Sequence, residues 1–410
     1  MKTCRYALTT LFQGVATGLL IPVLSLLFTS RGLSLTQLAT GMLLYSGVTL
    51  VLELPSGVLA DSLGRKRCYL VAELVRLVGC ALWFHASYPT LCAACAVMGA
   101  GNAVGSGSFD ALFIDRYLQA NGEDSLRTVS TVKTVCETVG YAAGSLVGGV
   151  LLVVGRRMFG RSGMCLLPIS LKLVCHCIQI LLVSTLIETD RPSARGWGRS
   201  PLDILRESGA AFRGAPVLVV VLSCVAFTGF LLSGVESFWQ PRLEALLPEP
   251  GLVWLSGVLG FLYFFCCLLG SLAGDRLLRW KTQPAVVFFI GRCVSAAMLY
   301  LLAKQYSVFG FFIVYMILYM SIGCAGLAET VLVNRNTPAN VRATILSVQS
   351  LTVQGGALLA ISLAASLVGS FGIPRYWAIV AGIFMFSCLA GVVAYRVQVT
   401  DTARTGARTG

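Results

Sequence analysis

Lys172, His176 and Gln179 are spaced by four and three residues, so on a helix they share one face. His176 lies in the middle of an apolar run, and an imidazole can take up and release a proton near neutral pH. Carboxylates recur in similar surroundings: Glu53 just before Pro55, Asp110, Glu137 one turn before Tyr141, Glu236 and Glu329. An ionisable group at the centre of a bilayer costs about 2.5–3.5 kcal/mol on insertion scales, so such groups usually work or pair. The expected chemistry is reversible protonation, with Glu53, Asp110, Glu137 and His176 as the proton-coupling candidates. Glu73 and Arg76, three residues apart, read as a structural pair. No phosphate-cradling glycine loop, Gly-x-Ser-x-Gly or His-Glu-x-x-His occurs. The chain therefore does not read as an enzyme, no metal or cofactor is expected, and ATP-driven work would need a separate subunit.

The elements that carry these residues follow from composition. Of 410 residues, 56% are hydrophobic and only 12% charged, about half the usual charged share of a soluble domain. A spanning helix needs about 20 apolar residues. The apolar runs fall at 8–29, 36–57, 68–86, 90–113, 128–153, 164–186, 215–240, 251–273, 284–303, 308–331, 342–368 and 375–396. They are continuous, which argues against the alternating strands of a membrane barrel. The expected fold is all-α, with twelve transmembrane helices in two pseudo-symmetric six-helix bundles. The bundles are 1–187 and 215–396, joined by a cytoplasmic central loop, 188–214, and followed by a cytoplasmic tail, 397–410. The first apolar run is longer than a signal-peptide core and reads as an uncleaved first span. Fifteen cysteines, mostly inside apolar runs, read as small reduced core residues.

The net charge of +13 would suggest nucleic acid in a soluble protein, but here it reads as topology. With the N-terminus inside, 21 Lys and Arg fall on the cytoplasmic side and seven outside. Both termini and the central loop are thus expected in the cytoplasm of a multi-pass cell-membrane protein. The external cluster of Arg156, Arg157 and Arg161 runs against that rule. The expected partners are the lipid bilayer, a small-molecule substrate and a proton, with the protein acting as a monomer.

After span two the chain reads GVLADSLGRKR, and after span eight GSLAGDRLLRWK. Asp61 and Arg65 are four apart, as are Asp275 and Arg279, and the two aspartates are 214 residues apart. The same loop at the same place in each half indicates duplicated bundles. Gly57, Asp61, Gly64 and Arg65 with the following Lys-Arg resemble the loop 2–3 signature of the major facilitator superfamily. That resemblance implies alternating access between the halves and a conformational latch built from Gly57, Asp61, Gly64, Arg65, Asp115, Asp275 and Arg279. Arg65 would pair with Asp115 or Asp110.

Gly140, Gly144, Gly148 and Gly149 resemble the span-five signature of the family's drug:proton antiporters, with Ser145 in place of its proline. Small residues every four positions also let helices approach closely. In span four the antiporters carry an arginine before Gly-x-Gly; Gly99-Ala-Gly101 is present, but Cys95 holds the arginine position. The family's cavity-lining spans place Gln13, Thr17, Asn102, Ser106, Tyr141, Glu236, Gln240, Tyr319 and Gln354 as substrate-cavity candidates. The expectation is proton-coupled export of small lipophilic organic compounds, with uptake of a nutrient or metabolite as the alternative.

Overall fold

The computed structural model describes residues 2–85, 87–106, 108–121, 126–188, 216–280, 282–337 and 342–409. Among them no strand occurs. The helices are α1 (Lys2–Gly18), α2 (Leu24–Thr29), α3 (Leu35–Leu63), α4 (Arg65–Leu82), α5 (Tyr88–Ser106), α6 (Ser108–Asn121), α7 (Leu126–Gly163) and α8 (Leu166–Leu186). After the central segment come α9 (Pro216–Glu236), α10 (Trp239–Leu246), a 3-10 turn (Pro250–Trp254), α11 (Leu255–Arg279), α12 (Pro284–Ala303), α13 (Val308–Asn336) and α14 (Arg342–Thr409).

Helix falls on each of the twelve apolar runs, and the protein is an all-helical membrane protein. Among the described residues, eight stretches are long and apolar enough to cross a bilayer by themselves. The last of these is 51 residues long and bends at Gly372, whose φ of +72° breaks the helix just before Pro374. That bend separates the runs expected at 342–368 and 375–396. The expected tail is also helical, because α14 continues to Thr409. In α4, Arg65, Lys66, Arg67, Glu73 and Arg76 keep the average hydropathy low, so its membrane placement rests on how those charges are matched.

The chain divides into two compact units, one of Met1–Arg199 with Gln240–Phe264 and the other of Ser200–Trp239 with Phe265–Gly410. This differs from halves cut at the central loop, because Gln240–Phe264 groups with the first unit. The glycines of α7 explain part of it. A methyl carbon on Gly149 would sit 2.7 Å from Cα of Gly257, and Ser145 Oγ donates to the Gly257 carbonyl at 3.1 Å. The same helix meets α1 through its other glycines. A carbon added at Gly140 would lie 2.6 Å from the Leu11 carbonyl oxygen and 2.8 Å from Cα of Gly14. Gly144 abuts Val15, and Gly148 abuts Leu19 and Pro22. These backbones touch because no side chain intervenes.

In the second unit a buried cluster of Leu218, Val221, Val225, Phe288, Leu332 and Ile345 knits α9, α12, α13 and α14. Trp377 Nε1 donates to the Gly234 carbonyl at 2.9 Å, satisfying the one polar atom of a fully buried ring.

Candidate functional site

Two groups of buried charges stand out, one in each unit. In the first unit α4 begins where Gly64, at φ +94°, ends α3 and turns the chain. Nine residues into α4, Glu73 is 2% exposed. Its Oε1 lies 2.6 Å from Nη1 of Arg76, and its Oε2 lies 2.7 Å from Nδ1 of His176 on α8. Lys172, one turn before His176, is 5% exposed and is electrostatically coupled to Glu73 and Arg76. Gln179, on the same face, donates to the Tyr69 hydroxyl at 3.0 Å. The sequence spacing of Lys172, His176 and Gln179 thus becomes one polar face of α8 aimed at α4.

The guanidinium of Arg76 needs room, and α5 supplies it. A carbon on Gly101 would sit 2.7 Å from Cγ of Arg76, and one on Gly105 would sit 2.8 Å from Cζ. Two glycines one turn apart therefore form the surface on which a buried arginine rests. Span four lacks an arginine of its own at Cys95, yet α4 brings one to this glycine face.

With Nδ1 facing a carboxylate, His176 carries its hydrogen there and donates it to Glu73. His176 Nε2 is buried and has no hydrogen-bond partner. That atom is where a further proton would go, and Glu73 would then face an imidazolium. The arrangement is chemically a carboxylate-oriented proton acceptor.

In the second unit Arg292 on α12 is 2% exposed and donates from Nη1 to Thr228 Oγ1 on α9 at 2.6 Å. Glu329 on α13 accepts from Gln349 Nε2 on α14 at 2.9 Å and from Thr228 Oγ1 at 3.5 Å. The sequence offers Glu329 as one of several carboxylates in apolar surroundings. Arg292 follows Asp275 by 17 residues and Arg76 follows Asp61 by 15, so the repeat does not bring the two arginines into register.

The other expected site residues are dispersed. The side chains of Gly57, Asp61, Ser106, Asp110 and Asp115 lie outside the described residues, as does 189–214 of the central segment. Arg65 opens α4 and is half-buried. Asp275 and Arg279 pair at 2.8 Å within one helix, and both are well exposed. Glu53 is half-buried on α3. Glu137 pairs with Lys133 at 3.1 Å, one turn away. Gln13 and Asn102 are half-buried, and Thr17 and Glu236 are exposed. The Tyr141 ring lies 5.2 Å from that of Phe264. Gln240 is buried and donates to the Ile21 carbonyl at 2.7 Å. Tyr319 is fully buried with its ring 4.6 Å from Tyr315. Gln354 reaches Ser350 only weakly, at 3.5 Å.

Two charges gain an explanation that sequence did not supply. Lys66, buried at 8%, donates to the carbonyls of Ser184 and Ile187 at 2.9 and 2.6 Å, and so caps the end of α8. Arg161 grips both oxygens of Glu244 at 3.2 Å, with Arg156 at 3.6 Å. The arginine cluster that opposed the topology rule is thus partly neutralised by a carboxylate of the segment packed on α7.

The family model for the Major Facilitator Superfamily matches residues 6–361. A search of curated proteins finds no match. Among solved structures, the nucleoside transporter NupG superposes with a TM-score of 0.78 at 14% identity, covering 96% of this chain and 99% of that one. A bacterial homologue of the human lysosomal transporter Spinster gives 0.74 at 15% identity, over 98% of this chain and 97% of that one. The POT family transporter PepTSo gives 0.74 at 12% identity, over 97% of this chain and 98% of that one. At these identities the likeness is one of fold.

Proposed function

The chain belongs to the major facilitator superfamily, and within it we propose a proton-coupled exporter of small lipophilic organic compounds in which His176 carries the coupling proton. It is a multi-pass membrane transporter of a small molecule, not an enzyme. The observation behind the proton assignment is the 2.7 Å contact of His176 Nδ1 with Glu73, together with the buried, unpartnered Nε2. Protonation at Nε2 adds a positive charge beside Arg76 and Lys172, against the single negative charge of Glu73. Adding or removing that charge changes how firmly α8 is held to α4, and this biases one access state over the other. Glu53, Asp110 and Glu137 remain further candidates on the coupling path.

The export direction rests on the four-glycine run of α7, which resembles the antiporter signature. In this reading the loop around Asp61 and Arg65 latches one state. The protein works as a monomer in the cell membrane with both termini in the cytoplasm.

The test is transport in proteoliposomes with a panel of lipophilic drugs, nucleosides and short peptides, with and without a protonophore. Lipophilic compounds should move outward, and both the protonophore and His176→Gln should abolish accumulation. Unchanged transport under a collapsed gradient would overturn proton coupling. The second reading is uptake by symport or facilitated diffusion, favoured by Cys95 where the antiporters carry arginine. Counterflow with nucleosides or peptides but not with the drugs would support it.

A further inference from the structure

We propose that Cys293 and Cys388 form a redox-active thiol pair, which a hydroperoxide converts to a disulfide that ties α12 to α14. Their sulfurs lie 3.3 Å apart, although the residues are 95 positions apart in the chain. Both belong to the second unit, and both are free thiols. A disulfide bond is about 2.05 Å long, so the sulfurs stand within a small side-chain rotation of bonding.

Packing holds the pair in place. Cys388 is fully buried in the cluster that joins α9, α12, α13 and α14, and Cys293 packs against that cluster. The Cys388 thiol donates to the Phe289 carbonyl at 3.5 Å, and Phe289 lies one turn before Cys293 on α12. The Cys388 sulfur thus rests on a single turn of α12. Cys293 itself is half-buried. Ile290, three residues before it, and Leu389, next to Cys388, are apolar and well exposed. The pair therefore lies one layer beneath an apolar surface that a small uncharged hydroperoxide can cross.

A cation stands beside it. Arg292, the residue before Cys293, brings its guanidinium within hydrogen-bonding reach of the Cys388 thiol and is electrostatically coupled to Cys224. Its Nη1 donates to Thr228, which fixes the group on α9. Cys224 is the third thiol here, but it faces Gly391, where an added carbon would lie 2.6 Å from its sulfur. Distance therefore selects Cys293 as the partner of Cys388.

The reaction balances with one hydroperoxide. The sulfur of Cys293, the more accessible thiol, bonds to one peroxide oxygen as the O–O bond breaks. The Cys293 proton leaves with the other oxygen, as water or an alcohol, and Cys293 becomes a sulfenic acid. The Cys388 sulfur then attacks the Cys293 sulfur: the S–S bond forms, the S–O bond breaks, and the departing hydroxide takes the Cys388 proton as water. Two electrons pass from the two thiols to the peroxide. As Cys388 gives up its proton, the negative charge developing on its sulfur faces the guanidinium of Arg292. A dithiol reductant reverses the bond. Neither the direction of transport nor proton coupling enters this inference.

The full chain in lipid nanodiscs is treated with hydrogen peroxide, denatured, alkylated and mapped by peptide mass spectrometry. A cross-linked peptide joining Cys293 to Cys388 is expected, and dithiothreitol should remove it. In Cys388→Ser the cross-link should be absent and dimedone should trap Cys293 as its sulfenic acid. In Cys293→Ser, Cys388 should stay alkylatable. The proposal is overturned if both thiols stay alkylatable at a peroxide dose that oxidises the exposed Cys177, or if Cys388 pairs with Cys224 instead. The wild-type map needs no variant, so misfolding of either serine variant leaves the result readable.

Discussion

Nδ1 of His176 on α8 lies 2.7 Å from Oε2 of Glu73 on α4, and the other oxygen of that carboxylate lies 2.6 Å from Arg76. One side chain thus matches the charge of its own helix and orients the imidazole of another.

Glu73→Ala should destabilise the protein by about 3–5 kcal/mol, the usual cost of removing one partner from a buried pair. Arg76 would then be left buried without its anion. Thermal melting in detergent should show a large drop. Arg279→Ala, which removes an exposed pair within one helix, should leave the melting midpoint essentially unchanged. Equal effects from the two variants would contradict this account.

Gly101→Ala and Gly105→Ala should each cost about 1–3 kcal/mol by overpacking, because each new methyl group meets the Arg76 side chain. Gly326→Ala is the control. It lies inside α13 with nothing within 4 Å of the added carbon. There, alanine should be neutral or stabilising by up to about 1 kcal/mol on helix propensity. Melting midpoints of the three variants would settle the comparison.

Lys66→Met keeps the aliphatic stem and removes the ammonium that caps α8. Two carbonyls lose a charged donor, so a loss of about 1.5–3 kcal/mol is expected. Hydrogen exchange should rise locally at the end of α8, near Ser184. Protection there equal to the wild type would refute the capping role.

Ser145→Ala removes one interhelical hydrogen bond to the Gly257 carbonyl and should cost about 1 kcal/mol. Gly260→Ala at the same crossing should cost more, because its methyl group would collide with the Ser145 hydroxyl. In the double variant Gly260→Ala with Ser145→Ala, part of that penalty should be recovered. Strictly additive losses would show that the two residues do not meet.

Length, apolar runs and the repeated loop already determine an all-helical, duplicated membrane protein, because continuous hydrophobicity is a local property of the chain. The glycines every four residues on α7 and the break at Gly64 were legible for the same reason: backbone approach and a positive φ each demand glycine locally. Charge pairing between helices was not legible. Glu73 was readable as the partner of Arg76, three residues away, but its second partner, His176, lies 103 residues further on. Lys66 meets Ser184 across 118 residues, and Arg161 meets Glu244 across 83. Which buried charge meets which depends on the rotation and depth of each helix against its neighbours, and no local spacing encodes that. Folding also assigned Gln240–Phe264 to the unit containing α7, because the backbone contact of Gly149 with Gly257 exists only once two distant helices are packed.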